Sequence, residues 1–320
     1  MADKLINVRW RHSTHRVNRF VSLATLACQG GDGVASGGAS DKSLPRHRGA
    51  RRAFTLIELL VVIAIIALLV GILLPSLAKS RNVARLAVSL SNCRSINVGV
   101  FSYKTDYKDA LPIVPSGPPA AGGGASWCYG GKYSNARWAG DFDMPAGVRP
   151  LNSYLYPDVK LESTNPTNRN AVELEVYRSP GDKKSYQDIN VYPNPHPYLS
   201  SYNDVGTSYH MNFKWWAPML SIVPFRSGDT GYSRSLRMMK EFSRRFAIAS
   251  VVDSTKYVFM HDQTADIVAN DDLARNWIGE FGDRNKSVIS FLDGHVSYIT
   301  VLPGQIQGPD YNFHFKLSGQ

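Results

Sequence analysis

The chain has 320 residues, 43% of them hydrophobic and 19% charged, with 26 Gly and 18 Pro, which excludes wholesale disorder, a collagen repeat and a disulfide scaffold. Its formal net charge of +10 is unevenly spread: residues 1–53 carry ten Lys and Arg against three Asp, a net of +7, which leaves +3 for the other 267 residues. A basic nucleic-acid-binding domain needs its cations on a folded surface, so no nucleic-acid partner is expected.

Residues 1–53 are polar and basic, hold Gly30, Gly31, Gly33, Gly37 and Gly38 in one tract, and keep no helical or strand period. They read as an unstructured leader. The character changes at Phe54. From Phe54 to Leu74 the only charge is Glu58, and at about 1.5 Å per residue this run reaches roughly 30 Å, the depth of a bilayer's hydrocarbon core. A buried core helix of that length would show a polar face, and this run has none, so it is expected to span a membrane once. Basic residues are in excess before it, with Lys42, Arg46, Arg48, Arg51 and Arg52 close ahead against Lys79, Arg81 and Arg85 close behind, which is expected to put 1–53 in the cytoplasm and everything after Leu74 outside.

A carboxylate five residues into an apolar run is costly in lipid and calls for a partner. No Lys or Arg within the run can supply one. A cut between Ala53 and Phe54 would create an α-amino group one turn from Glu58, on the same chain or on a neighbouring subunit. The alternative is that Glu58 snorkels to the headgroups of an uncut anchor. Arg51-Arg52-Ala53-Phe54-Thr55-Leu56 also loosely matches a twin-arginine export signal, but Pro75 to Ser80 makes a poor cleavage site on the far side of the run.

Pro75 ends the apolar run, and its ring and missing N–H predict a kink or a point of melting. Beyond it Val83, Leu86, Leu90, Cys93, Ile96, Val100, Tyr103 and Tyr107 recur every three or four residues, one apolar stripe of a continuing helix. A helix over 54–110 would be roughly 80 Å long, half bare and half packed on a head. Residues 111–126, rich in Pro and Gly, read as a linker or exposed loop.

The head, 127–320, reads as short strands between turns. Lys256–Met260, Ser287–Leu292 and His295–Val301 are the strongest strands. Asp293-Gly294 predicts a two-residue hairpin turn with both residues at positive φ. Leu151–Tyr156 fits a short helix or a strand. The fold class is α+β: a long N-terminal helix packed on a mainly antiparallel β head.

Arg51 to Leu60 and the apolar run behind it resemble the N-terminal signal of type IV pilins and type II secretion pseudopilins. Phe54-Thr55-Leu56-Ile57-Glu58 matches that motif residue by residue; the family usually has Gly before the cut, where this chain has Ala53. The resemblance implies cleavage by prepilin peptidase between Ala53 and Phe54, N-methylation of Phe54, and assembly guided by Glu58. The implied partners are other pilin-like subunits, an inner-membrane assembly platform and membrane lipid, with the head on the periplasmic side. Asn92-Cys93-Arg94, Tyr177 to Asp182, Thr207 to Asn212 and Phe291 to Val296 resemble phrases of large planctomycete-type pilin-like proteins. That group is marked by a histidine, nine residues, then Asp-Gly; Asp283 stands where the histidine would be.

Because some pseudopilins bind calcium, Asp283, Asp293 and His295 are weak candidates for such a site. The bland reading, a turn and a strand start, is preferred, and no cofactor is expected. Cys93 and Cys128 would share an oxidising compartment, where they form one disulfide or Cys93 packs as a small hydrophobe. The chain holds no Gly-x-Ser-x-Gly, His-Glu-x-x-His, phosphate-binding loop or Cys-x-x-Cys, and His210 and His261 have no nucleophile context. The function expected is a non-enzymatic structural subunit. The alternatives are a membrane-anchored binding module that never polymerises and an exported enzyme.

Overall fold

The structure is a computed structural model that describes residues 54–116, 123–138, 143–161, 169, 172–187, 199–248, 253–271 and 274–314. The leader 1–53, with Ala53 and Cys28, lies outside the described residues. By internal contacts the chain forms two units, Met1–Glu58 and Leu59–Gln320.

Helix α1 (Leu56–Asp106) is 51 residues long. It is helical without a break across Pro75. The proline removes one N–H, and the Ser76 hydroxyl donates to the Leu73 carbonyl at 2.8 Å. Every residue from Phe54 to Ser80 is exposed. The helix stops where Lys108 and Asp109 take positive φ of 52° and 64°, with Asp109 N donating to Lys104 O, a left-handed C-terminal stop just before Pro112.

Cys93, Ile96 and Val100 of the sequence stripe are buried, whereas Val83 and Tyr107 at its ends are exposed. The packed face is also partly polar. Ser89 and Asn97 are buried, and each finds a partner on the head: Ser89 Oγ with Tyr209 Oη at 2.9 Å, and Asn97 with Gly294 O and Ser290 Oγ. Buried polar groups persist because they are hydrogen-bonded, so the helix is stitched as well as packed.

Strands β1 (Tyr209–Met211), β2 (Val258–Asp262), β3 (Lys286–Phe291) and β4 (Val296–Thr300) form one antiparallel sheet in sequence order. Alternation along β3 sends Val288 into the cluster shared with Cys93, Ile96 and Val100, and Ile289 into a second cluster with Val268, Tyr311 and Phe313. The sheet therefore has α1 on one face and α6 (Gln263–Asn270) with 311–313 on the other. A register shift between Val258 and Met260 breaks the strict alternation in β2, as a bulge does.

The β3–β4 hairpin differs from the expected two-residue turn. Phe291 N donates to His295 O and Gly294 N to Phe291 O, a three-residue loop in which Gly294 is at φ +92° and Asp293 has no positive φ. That is a turn closed by one left-handed glycine. A Cβ at Gly294 would come 2.8 Å from the Phe101 ring of α1.

The antiparallel sheet was expected; the amount of helix was not. Among the described residues of 127–208 there is no strand, only turns, 3-10 helices at Ala136–Trp138, Ala146–Val148 and Glu175–Tyr177, and the short helices α2 (Asn152–Leu155) and α3 (Ser201–Val205). Of the two readings of Leu151–Tyr156, the helix is the one found, over Asn152–Leu155 with Leu151 and Tyr156 as its caps. Between β1 and β2 lie α4 (Trp216–Ile222) and the 18-residue α5 (Gly231–Ile248). The buried Met238, Met239, Phe242 and Phe246 of α5 recur at helical spacing, and Trp215 stacks on Phe242 at 4.1 Å. The described ends of 111–126 are also packed: Leu111, Ser116 and Ala125 are buried, and Ser116 pairs with Gly123.

Candidate functional site

The N-terminal site is built from Phe54, Thr55 and Glu58. Thr55 precedes the first helical residue and Glu58 is three residues on, the spacing of a capping box. Glu58 Oε2 accepts from Thr55 N and from Thr55 Oγ1, both at 2.8 Å, and Glu58 N donates back to Thr55 Oγ1 at 3.3 Å. The carboxylate thus closes the N-terminus of its own helix, where orphan N–H groups and the helix dipole favour a negative group. Among the described residues no cation pairs with it. Phe54 is 70% exposed, and the bond to Ala53 lies outside the described residues.

In the head, three phrases singled out in the sequence meet. Asn92 of α1 donates to Arg178 O at 2.9 Å, Ser208 N donates to Tyr177 O at 2.8 Å, and Ser208 Oγ donates to Asp182 Oδ2 at 2.6 Å. Asp182 also accepts from Ser201 N and Tyr202 N at the start of α3. Asp262 caps α6 through Thr264 N and binds Ser287 Oγ and Val288 N of β3. Glu280 accepts from Ser179 Oγ at 2.7 Å.

Burial pushes Asp182 and Asp262 up to about 6, and it raises Glu280 as well, with Asp262 and Asp182 adding to the rise. Buried carboxylates within electrostatic reach of one another share protons, because like charges in low dielectric cannot all ionise. A cleft of about 180 Å³ lies beside them, lined by Gly181, Lys184, Tyr186, Gln263, Trp277 and Glu280. Nothing in the sequence groups these carboxylates, which come from segments about 80 and 18 residues apart; only the folding of the head brings them together.

His210 and His261 face each other across β1 and β2. The His210 ring bonds Ser126 Oγ and Ser201 Oγ, and burial holds it down to about 3. Burial lowers His261 as well. Both are neutral core imidazoles. Arg149, also buried, sends its two terminal nitrogens to the carbonyls of Trp127, Gly130, Met144 and Val205.

The weak calcium candidates do not converge. Asp293 Oδ1 meets His295 Nδ1 at 2.6 Å, and the His295 ring stacks on Phe291. Asp283 is exposed and sits instead near Tyr298. Among the described residues there is no group of three His, Cys, Asp or Glu able to hold a metal ion. Cys93 and Cys128 are free and buried in different apolar clusters, so the disulfide weighed from the sequence is not formed.

Residues 48–74 match the family model described as the prokaryotic N-terminal methylation motif. No curated protein and no solved structure matches the chain. The chain therefore carries a type IV pilin-like prepilin signal at 48–74, the kind that prepilin peptidase processes. The described α1 includes one stretch long and apolar enough to cross a membrane, which with this signal fits a single-pass, membrane-anchored protein.

Proposed function

We propose that this chain is a structural subunit of a type II secretion or type IV pilus-like assembly, not an enzyme. Prepilin peptidase cuts it before Phe54, and the new amine is methylated. The mature subunits then pack through the apolar half of α1, with the head carried on the periplasmic side. The reading calls for no cofactor.

The observation that supports it best is the pairing of the methylation motif with an apolar run, Phe54 to Leu74, whose single charge, Glu58, is already held at the helix terminus by Thr55. Cutting at Ala53 would put a cationic amine beside that carboxylate, and a charge pair offsets the cost of burying either group in lipid. Intact mass and N-terminal sequencing of the protein from its native membrane test the reading. A mature chain of roughly 30 kDa beginning with N-methylated Phe54 is expected. An uncut chain, or one cut beyond Leu74, would overturn it. Absence from sheared filament fractions despite correct processing would leave an anchored module that does not polymerise.

A further inference from the structure

Where α1 ends, the head opens into a groove of about 1020 Å³ between the last turn of α1, the segment after it, the α4–α5 connection and α5 itself. Its floor is apolar. Leu111, Val223 and Met239 are buried there, and Leu236, 43% exposed, and Tyr107, 54% exposed, leave apolar surface open at its sides.

Its rim is cationic. Lys108, Arg226, Arg237, Lys240, Arg244 and Arg245 line it against a single acid, Glu241. That is a net of +5 in one groove, more than the +3 carried by all of residues 54–320. Three of these cations have structural duties: Arg237 pairs with Asp229, and Arg244 and Arg245 pair with Glu241. Lys108, Arg226 and Lys240 are exposed, and among the described residues no carboxylate pairs with their side chains. Exposed cations over an apolar floor are complementary to a chain that brings both apolar side chains and carboxylates.

We infer that this groove docks an acidic, amphipathic segment of a partner protein. Apolar side chains on one face of the segment sit over Leu111, Val223 and Met239, and carboxylates on its flanks meet Lys108, Arg226 and Lys240. The buried floor is aliphatic, and the Tyr103 and Tyr107 rings at the side are stacked on each other, which favours a peptide over a polysaccharide, whose docking would use open aromatic faces and polar hydrogen-bonding groups. The membrane surface is not the occupant. Tyr103 lies 29 residues beyond Leu74, about 44 Å along the helix, and membrane charge is screened within roughly 8 Å of the surface.

The test uses the full chain in lipid nanodiscs and a labelled helical peptide of about 15 residues, with Leu and Phe at i, i+3, i+4, i+7 spacing and Glu between them. Comparison probes are the same residues scrambled, polyglutamate of equal length, and polygalacturonate. The amphipathic peptide is expected to bind saturably, to weaken with added salt, and to bind more tightly than every comparison probe. The triple variant Lys108→Glu, Arg226→Glu, Lys240→Glu should weaken it about tenfold or more, as should Leu236→Glu, with thermal unfolding unchanged in both. Equal binding of polyglutamate, tighter binding of polygalacturonate, undiminished binding by the variants, or no saturable binding would each overturn the inference.

Discussion

Asn97 in α1 and Ser290 in β3 are 193 residues apart and joined by one buried hydrogen bond of 2.8 Å, Ser290 Oγ donating to Asn97 Oδ1. The other end of the same amide donates to Gly294 O at 3.0 Å. One side chain thereby holds the helix to both the body and the tip of the β3–β4 hairpin.

Replacing Asn97 by Leu keeps the size but strands a hydroxyl and a carbonyl. Each buried group left without its bond costs about 1–3 kcal/mol, so a loss of about 2–4 kcal/mol is expected. Urea unfolding followed by head tryptophan fluorescence would measure it. A variant within about 0.5 kcal/mol of the parent would show that the helix is held by apolar contact alone.

Arg149 supports a second prediction. Its guanidinium is fully buried, holds four carbonyls, and is lowered to about 10, which leaves it cationic at neutral pH. Arg149→Met should cost about 3 kcal/mol or more, since four acceptors lose their donors at once. Arg149→Lys should recover only part of this, because an ammonium cannot reproduce the planar fork. Equal urea midpoints for the Lys variant and the parent would show that charge, not geometry, is what the site uses.

The buried acids and histidines give opposite pH signatures. Asp182 rises from 3.8 to about 6 on folding. The folded form keeps a proton that the unfolded chain has released, so this contribution is full below pH 3.8 and is lost as pH rises through 6. His210 falls from 6.5 to about 3. Its contribution is full above pH 6.5 and is lost as pH falls toward 3. Relative to the parent, Asp182→Asn should therefore gain in Tm as pH rises from 4 to 7, and His210→Gln should gain as pH falls over the same range. Parallel trends for the two variants would contradict the assignment.

At the N-terminus, cap and charge can be separated. Gln in place of Glu58 can still accept from Thr55 N and Oγ1, so the helix start survives, but it cannot pair with an amine. Under the proposed function, Glu58→Gln should be cut yet missing from sheared filament fractions, whereas Thr55→Ser, which keeps the hydroxyl, should assemble. Normal assembly of Glu58→Gln would assign the residue to capping alone.

The N-terminal motif and the long helix were legible in the sequence because what specifies them is local: a run of apolar residues, one carboxylate, and a stripe at helical spacing. Strands β2 to β4 were legible for the same reason, within one or two residues at their ends. Helix α5 was equally periodic, with Met238, Phe242 and Phe246 four apart, but the turn-rich head drew a strand reading over it. Nothing in the sequence marked Ser89 and Asn97 as buried, since their partners, Tyr209, Ser290 and Gly294, are strands away. The meeting of Asp182, Asp262 and Glu280 had no sequence signal, because tertiary pairing brings distant carboxylates together.

The two buried thiols have a practical consequence. Burial pushes Cys128 up to about 11 and Cys93 well above its ordinary value, so neither offers thiolate to an alkylating reagent while the head is closed. Each becomes reactive only when its surroundings open, and they sit in separate clusters. Their alkylation rates thus serve as two built-in clocks for breathing of the head, one at the helix seam and one at the Trp127 side, readable in living cells without any introduced label.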